Sequence, residues 1–270
     1  DMTLQIHDIN TGFNPIVGFS VKSDVGSPPT LLNAGKNTRI SYEVKGITDD
    51  DMHEINAIDS TVSREYMKER MSELCRRADD IVFANVKEQV FEDNLILIDS
   101  LLPSIFGEMV LLHYKIIANG TYDCELLIDM LSEFNPLGYR QSNRYKFKKM
   151  LTAAALGMTA GKEWDGYEAA TGGYIIIKKD GDVLCYHLYN RDYFEEYLMR
   201  NTQFDRPSAS RHDYGYVYKD GEKYYIDLNI QVRFKSIKSA SEMYSDKWNE
   251  KADRVREHAR IIYNGEEIEL

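Results

Sequence analysis

The sequence predicts an α+β fold in which strands open the chain, helices fill its middle and β-hairpins return in its last third. Three observations carry this prediction. Met2, Leu4 and Ile6 alternate with polar neighbours, and so do Val17, Phe19 and Val21, which is the period of a strand with one buried face. Apolar residues through the middle of the chain recur at helical spacing instead. Asp180-Gly181 and Asp220-Gly221 each separate two alternating runs, the strongest local sign of a hairpin.

Each element follows from local chemistry. Asn10-Thr11-Gly12 breaks the first two strands, and Gly26-Ser27-Pro28-Pro29 separates them from a third over Thr38–Val44. Asp49–Asp51 can cap a short helix, and Ser60–Ala78 carries Val62, Tyr66, Met67, Met71 and Leu74 on one helical face. Phe91–Leu101, Pro103–Ala118 and Asp123–Phe134 follow as helices. Pro103 suits a first turn, where its missing amide proton has no partner to lose. Asn135-Pro136-Leu137-Gly138 predicts a turn, and Ser142–Leu156 a helix that starts basic and ends alanine-rich. Tyr174–Lys178 with Val183–Leu188, and Tyr214–Tyr218 with Lys223–Gln231, predict two hairpins with type I′ turns, whose central residues both need positive φ. A short helix around Asp192–Met199 lies between them, and a charged helix near Ser241–Ile261 closes the chain.

With 270 residues, 43% of them hydrophobic, the chain buries a full core without staples, as one large domain or two closely packed ones. Cys75, Cys124 and Cys185 are odd in number and form no CxxC pair. Reduced thiols in a cytoplasmic protein are expected, and structural zinc is not. The apolar run Leu151–Leu156 is too short to cross a bilayer, so no membrane partner is expected. No basic region followed by an apolar segment opens the chain. Residue 1 is Asp rather than Met, which suggests a fragment or a processed product. The net charge of −11 argues against binding nucleic acid by bulk attraction. A DNA enzyme of this composition needs its positive charge concentrated locally.

The first hairpin carries candidate chemistry. A shared core for its two apolar faces is satisfied by pairing Ile6 with Val17 and Leu4 with Phe19, which sets Asp1 opposite Lys22. Asp1, Ser20 and Lys22 then lie on the face away from that core. Asp8 falls about 20 Å away at about 3.3 Å per residue, so Asp1 is the better partner. A carboxylate beside a lysine on adjacent strands suits metal-assisted phosphodiester hydrolysis: the carboxylate holds Mg²⁺, and the lysine orients a water or stabilises developing charge. The backbone carbonyl of Val21 can supply another ligand. From spacing alone, a weak exposed cross-strand pair is the commoner meaning of such residues.

The segments Asp1–Gly12 and Gly18–Ala34, then Gly172–His187, and again Asn201–Arg211 with its Pro207-Ser-Ala-Ser-Arg211, resemble the HpaII-type restriction endonucleases. The resemblance runs through most of the chain, with gaps in the helical middle. It implies a type II restriction enzyme, a Mg²⁺-dependent endonuclease cutting both strands at a short palindromic site, CCGG-like by the family's namesake. Such enzymes are similar to PD-(D/E)xK nucleases, whose acid and (D/E)xK lie on adjacent strands of a mixed β-sheet. Asp1 matches the acid of the first motif, and Ser20-Val21-Lys22 the second. Ser20 stands where the pattern has an acid, so a replacement carboxylate is needed, with Asp24 and Glu43 the nearest later acids and a helix before Asp1 an alternative source. The implied organisation is a catalytic sheet over residues 1–48, a helical region over 49–170, and a hairpin and helix region over 171–270 that takes part in DNA recognition.

Double-stranded DNA as partner requires basic surface. Arg140, Arg144, Lys146, Lys148 and Lys149 form the densest basic cluster and suit phosphate contacts, with a solvated helix face as the equal alternative. The loop 202–213 holds Gln203, Arg206, Ser208, Ser210, Arg211 and His212 and is the better candidate for reading bases, since arginine pairs with guanine and glutamine with adenine. Asn33, Lys36 and Arg39 follow the catalytic strand and can touch the DNA backbone. Lys178 and Lys179 read as a solvated edge, and His113 and His187 as core or boundary histidines. A palindromic site presents two equivalent strands, so a homodimer is expected. Two other readings stand beside this one: a nicking or repair nuclease acting as a monomer, and a non-catalytic DNA-binding module, which the serine at position 20 favours.

Overall fold

The computed structural model describes residues 2–5, 7, 9, 11–23, 29–61, 63, 65–116, 122–133, 140–177, 180–188, 190–235, 260–263 and 266–269. Among these, the strands form three four-stranded sheets and one two-stranded ribbon. The first sheet runs β1 (Met2–Gln5), β2 (Ile16–Ser23), β7 (Gly173–Ile177), β8 (Val183–His187). Its central pair β2–β7 is parallel and its outer pairs are antiparallel. A parallel pair cannot be closed by a tight turn, so the chain between β2 and β7 makes a long crossover that holds six of the helices. The α+β fold with a mixed sheet, expected from the sequence, is present.

The second sheet is antiparallel, in the order β10 (Val217–Asp220), β11 (Lys223–Asn229), β4 (Arg39–Lys45), β5 (Asp80–Val86). Ile40, Tyr42 and Val44 of β4 and Ile226 and Leu228 of β11 are buried. The third sheet, also antiparallel, runs β3 (Thr30–Leu32), β12 (Gln231–Phe234), β9 (Thr202–Asp205), β6 (Tyr122–Asp123). Strands β13 (Arg260–Tyr263) and β14 (Glu266–Glu269) make the ribbon. The three segments of the implied organisation share these sheets: β2 pairs with β7, β4 stands between β5 and β11, and β3 pairs with β12.

The helices are α1 (Asp49–Ala57), α2 (Tyr66–Arg77), α3 (Gln89–Ile98), α4 (Leu102–Lys115), α5 (Cys124–Glu133), α6 (Arg140–Leu156), α7 (Arg191–Asn201) and the short α8 (Ala209–His212). The cap of α1 is Thr48: its hydroxyl accepts from the Asp51 amide at 3.2 Å, and the Asp51 carboxylate accepts from the Thr48 amide at 2.9 Å. The acids at 49–51 fill the first turn, where the helix dipole favours them. Helix α4, with Pro103 in its first turn, is the central core element. Its Phe106 meets Phe91 of α3 edge-on at 5.8 Å and Phe204 of β9 at 5.7 Å. Gly107 lets α4 lie against β5, since a Cβ there would stand 2.2 Å from the Phe83 ring.

Several local expectations are corrected. The helix expected from Ser60 begins only at Tyr66, because the Asp59 side chain accepts from the amide (2.8 Å) and hydroxyl (2.6 Å) of Thr61 and holds a turn instead. Strands β3, β5, β6, β14 and β12 beyond Gln231 lie where the sequence reading placed none, and the expected 202–213 loop is a strand, β9, over its first four residues. Both Asp-Gly hairpins form, but not through type I′ turns. Asp220 pairs with Lys223, so Gly221 takes the first central position with φ 59°, the place of glycine in a type II′ turn. Ile177 pairs with Val183, which leaves a five-residue connection. Arg260 and Ile261, expected at the end of a helix, belong to strand β13. The remainder of that predicted helix, up to residue 259, and the predicted 135–138 turn lie outside the described residues. No single described helix is long and apolar enough to cross a membrane.

Candidate active site and DNA-facing surface

Strand β2 brings Ser20-Val21-Lys22 to the middle of the mixed sheet. In the parallel ladder Ser20 stands beside Tyr174 and Lys22 beside Ile176. Ser20, Tyr174 and Ile176 are buried, while Val21 is 37% exposed. Ser20 and Lys22 therefore face the body of the molecule, which corrects the expectation that they point away from the core. Position-to-position alternation places residues on opposite faces but does not say which face the rest of the chain covers. Here β7 decides it. The Tyr174 ring packs against Phe194 at 5.6 Å and Phe234 at 6.1 Å, and its hydroxyl donates to the Ala155 carbonyl. The Lys22 ammonium sits 5.6 Å from the centre of that ring. Burial lowers the Lys22 pKa below the usual lysine value.

The ladder between β1 and β2 differs from the expected one. Met2 pairs with Phe19 and Leu4 with Val17, a slip of two residues from the register that set Asp1 opposite Lys22. A slip of two keeps every side chain on its face, so the apolar pattern cannot distinguish the two registers. The loop does: His7 Nδ1 lies 2.9 Å from Asn14 Oδ1, and Gln5 Nε2 donates to the Asn14 carbonyl at 3.4 Å. Asp1 itself lies outside the described residues, as does Asp24.

Of the expected replacement acids, Glu43 belongs to β4 in the second sheet, not to the sheet of Lys22, and its carboxylate is paired with Lys223 at 3.0 Å. Among the described residues, no three acidic, histidine or cysteine side chains converge to hold a metal. Strand β2 contributes the Ser20 hydroxyl and the Val21 carbonyl. These are the hard oxygen donors Mg²⁺ prefers, but the described side chains do not complete a cage.

The basic cluster on α6 is committed elsewhere. Arg144 pairs with Glu125 at 2.6 Å and Glu196 at 3.2 Å, Lys146 with Asp99 at 3.0 Å, Lys148 with Glu196 at 2.6 Å, and Lys149 with the buried Glu195 at 2.6 Å. These cations tie α6 to α5, α7 and the turn before α4, and they do not form the open basic face expected for DNA. The side chains of Arg140 and Gln141 lie outside the description.

The 202–213 segment is different. Arg206 is half-buried, and Ser208, Ser210 and Arg211 are exposed. Among the described residues neither Arg206 nor Arg211 forms an ion pair; the Ser208 and Ser210 hydroxyls lie 3.1 Å apart, and His212 is half-buried in α8. The ends of this loop are anchored. Tyr214 donates its hydroxyl to the Pro207 carbonyl at 2.6 Å and meets the Tyr114 hydroxyl at 2.9 Å. Arg70, fully buried, donates to the Gly215 carbonyl at 2.7 Å, and the Asn56 amide bonds the Val217 backbone in both directions at 2.7 and 2.9 Å. A loop with pinned ends presents uncommitted polar groups at small entropic cost. His113 is buried between Tyr114 and Phe204, and burial together with the charge of Arg206 pushes its pKa down to about 3, as a core histidine requires. The side chain of His187 and residues 178 and 179 lie outside the description.

Asn33 and Lys36 are exposed and Arg39 is half-buried at the head of β4. The turn that carries Lys36 is fastened by Asn229, which donates to the Gly35 carbonyl at 2.9 Å and accepts from Thr38 at 2.8 Å. Sequence reasoning missed Gln231 and Arg233, which stand beside Gln203 and Asp205 on the polar face of the third sheet. The strict alternation Gln231-Val232-Arg233-Phe234 was the available signal.

The sequence model of the HpaII restriction endonuclease family matches residues 1–234. The type II restriction enzyme HpaII of Haemophilus parainfluenzae is 40% identical over 239 residues, which cover 87% of this chain and 64% of that enzyme. The chain thus spans less than two thirds of the length of the curated relative it matches. No solved structure matches it. With a family match that takes in both the β2 segment and the 202–213 loop, the chain belongs to the HpaII restriction endonuclease family.

Proposed function

We propose that this protein is a type II site-specific deoxyribonuclease that hydrolyses phosphodiester bonds in both strands of double-stranded DNA at a short palindromic, CCGG-like site. The observation that carries the reading is the placement of Ser20-Val21-Lys22 on β2, with the lysine ammonium partly desolvated over Tyr174. A low-dielectric setting strengthens the field of that charge at a neighbouring phosphate. Lys22 orients the attacking water and stabilises the charge that develops. Ser20 and the Val21 carbonyl line the same strand. Asp1 and a second acid, of which Asp24 is the candidate on the same segment as Lys22, would hold Mg²⁺, which supplies polarisation of the phosphate and acidification of water when bound. Arg206, Ser208, Ser210, Arg211 and His212, on their anchored loop with Gln203 at its head, contact the DNA. Asn33, Lys36 and Arg39 add backbone contacts. Two copies act on one palindrome. The free thiols of Cys75 and Cys124, both buried, suit the reducing cytoplasm.

The test is conversion of supercoiled plasmid to discrete linear fragments. Cutting that requires added Mg²⁺, stops with chelator and is lost in Lys22→Ala supports the reading. Nicked circles alone identify a single-strand nuclease. Retention of specific DNA without cutting identifies a binding module, the alternative that Ser20 in place of an acid favours.

A further inference from the structure

Four polar side chains share one face of the third sheet. Gln203 and Asp205 come from β9, and Gln231 and Arg233 from β12, with Gln231 opposite Asp205 and Arg233 opposite Gln203. Directly opposed residues stand about 5 Å apart, so the four make a compact square. The other face of the same strands is core: Phe204, Val232 and Phe234 are buried. Within the square one carboxylate orients two neighbours. Asp205 Oδ2 accepts from Gln231 Nε2 at 2.8 Å and from Arg233 Nη1 at 2.7 Å. The side chains of Arg233 and Asp205 are each 22% exposed. The pair is mostly buried, and desolvation of both charges offsets much of its Coulombic gain, so folding alone gives weak reason to keep it. Strand β9 then runs without a break into Arg206 and the loop described above.

We infer that Gln231 and Arg233, oriented by Asp205, hydrogen-bond to base edges of double-stranded DNA and, with the adjoining 206–212 loop, determine which sequence is recognised. This rests on the reading of the chain as a sequence-specific endonuclease. The chemistry is the kind base readout uses: a guanidinium matches guanine O6 and N7, a carboxamide matches adenine N6 and N7, and a carboxylate accepts from cytosine N4. Asp205 acts as a positioning residue, and Gln231 and Arg233 as the reading ones. The cross-strand hydrogen bonds fix their side chains before DNA arrives, which lowers the ordering cost of binding.

The experiment is selection from a pool of duplexes with a randomised centre, in the Lys22→Ala background to prevent cutting. The parent is expected to enrich one short motif. Adding Arg233→Lys or Gln231→Leu is expected to relax preference at one base pair of that motif about tenfold or more, with the other positions and the thermal midpoint retained. Undiminished preference at every position in both variants overturns the inference and leaves the endonuclease reading intact. Failure of the parent to enrich any motif, together with failure of the unmutated protein to cut plasmid, overturns that reading and this inference with it.

Discussion

Lys22 holds its charge where burial disfavours it. Its pKa is lowered by desolvation, so the unfolded chain binds that proton more tightly than the folded one. The ammonium therefore costs stability at neutral pH, and the cost is relieved as pH rises through the folded pKa. Replacing it by an apolar side chain of similar length removes the cost. Lys22→Met is expected to leave the urea midpoint at neutral pH unchanged or raised, while cleavage falls about a hundredfold or more. A variant that is both destabilised and active would show that Lys22 is a structural cation. The strand that carries Lys22 was legible in the sequence, because its residues alternate apolar and polar. Its register was not, because a two-residue slip leaves the pattern unchanged and is set by polar contacts of Gln5, His7 and Asn14 in the loop.

Helix α6 shows how composition misleads. A run containing Arg144, Lys146, Lys148 and Lys149 reads as a DNA-binding face until the acids of α5, α7 and Asp99 are brought to it by tertiary packing. Arg144→Gln is expected to lower the thermal midpoint and leave the salt dependence of DNA binding unchanged. Arg211→Gln is expected to reduce the slope of log affinity against log salt by about one, the signature of one lost phosphate contact, with stability unchanged. The opposite pattern would return α6 to the interface. Helices α1 and α2 carry a second ion cluster, with a consequence for acid stability. Hydrogen bonds from Arg76 and Arg77 lower the Glu73 pKa to about 2, and bonds from Thr48 and then Arg77 lower that of Asp51 to about 2. Their folded pKa values lie below the unfolded ones, so this contribution is present above about pH 4.5 and is lost as pH falls toward about pH 2. Denaturant midpoints followed down that range are expected to fall less steeply in Arg77→Leu than in the parent. Helices and hairpins were largely readable from periodicity and Asp-Gly pairs. Strands β3, β5 and β6 were not, because β3 and β6 are too short to show a period and β5 sits within the helical stretch of sequence.

Across the whole molecule, each of the three large sheets takes strands from distant parts of the chain, and this long-range pairing positions the site. The crossover from β2 to β7 sets Lys22 over Tyr174, and the return of β12 between β3 and β9 builds the polar face beside the 206–212 loop. The alternation of residues 231–234 marks a polar strand face, but neither juxtaposition itself has a signature in local sequence. The overall acidity, −11, sets a demand on the same surface under the proposed function: bulk attraction to DNA is weak, so binding would have to come from a few positioned cations and base contacts. Sequencing the ends left on DNA digested with the protein and Mg²⁺ tests this account most directly. It predicts that both strands are cut at fixed positions within one short palindrome and that no such ends arise with Lys22→Ala. Ends scattered without sequence preference, or ends at the same palindrome from the Lys22→Ala protein, would contradict it.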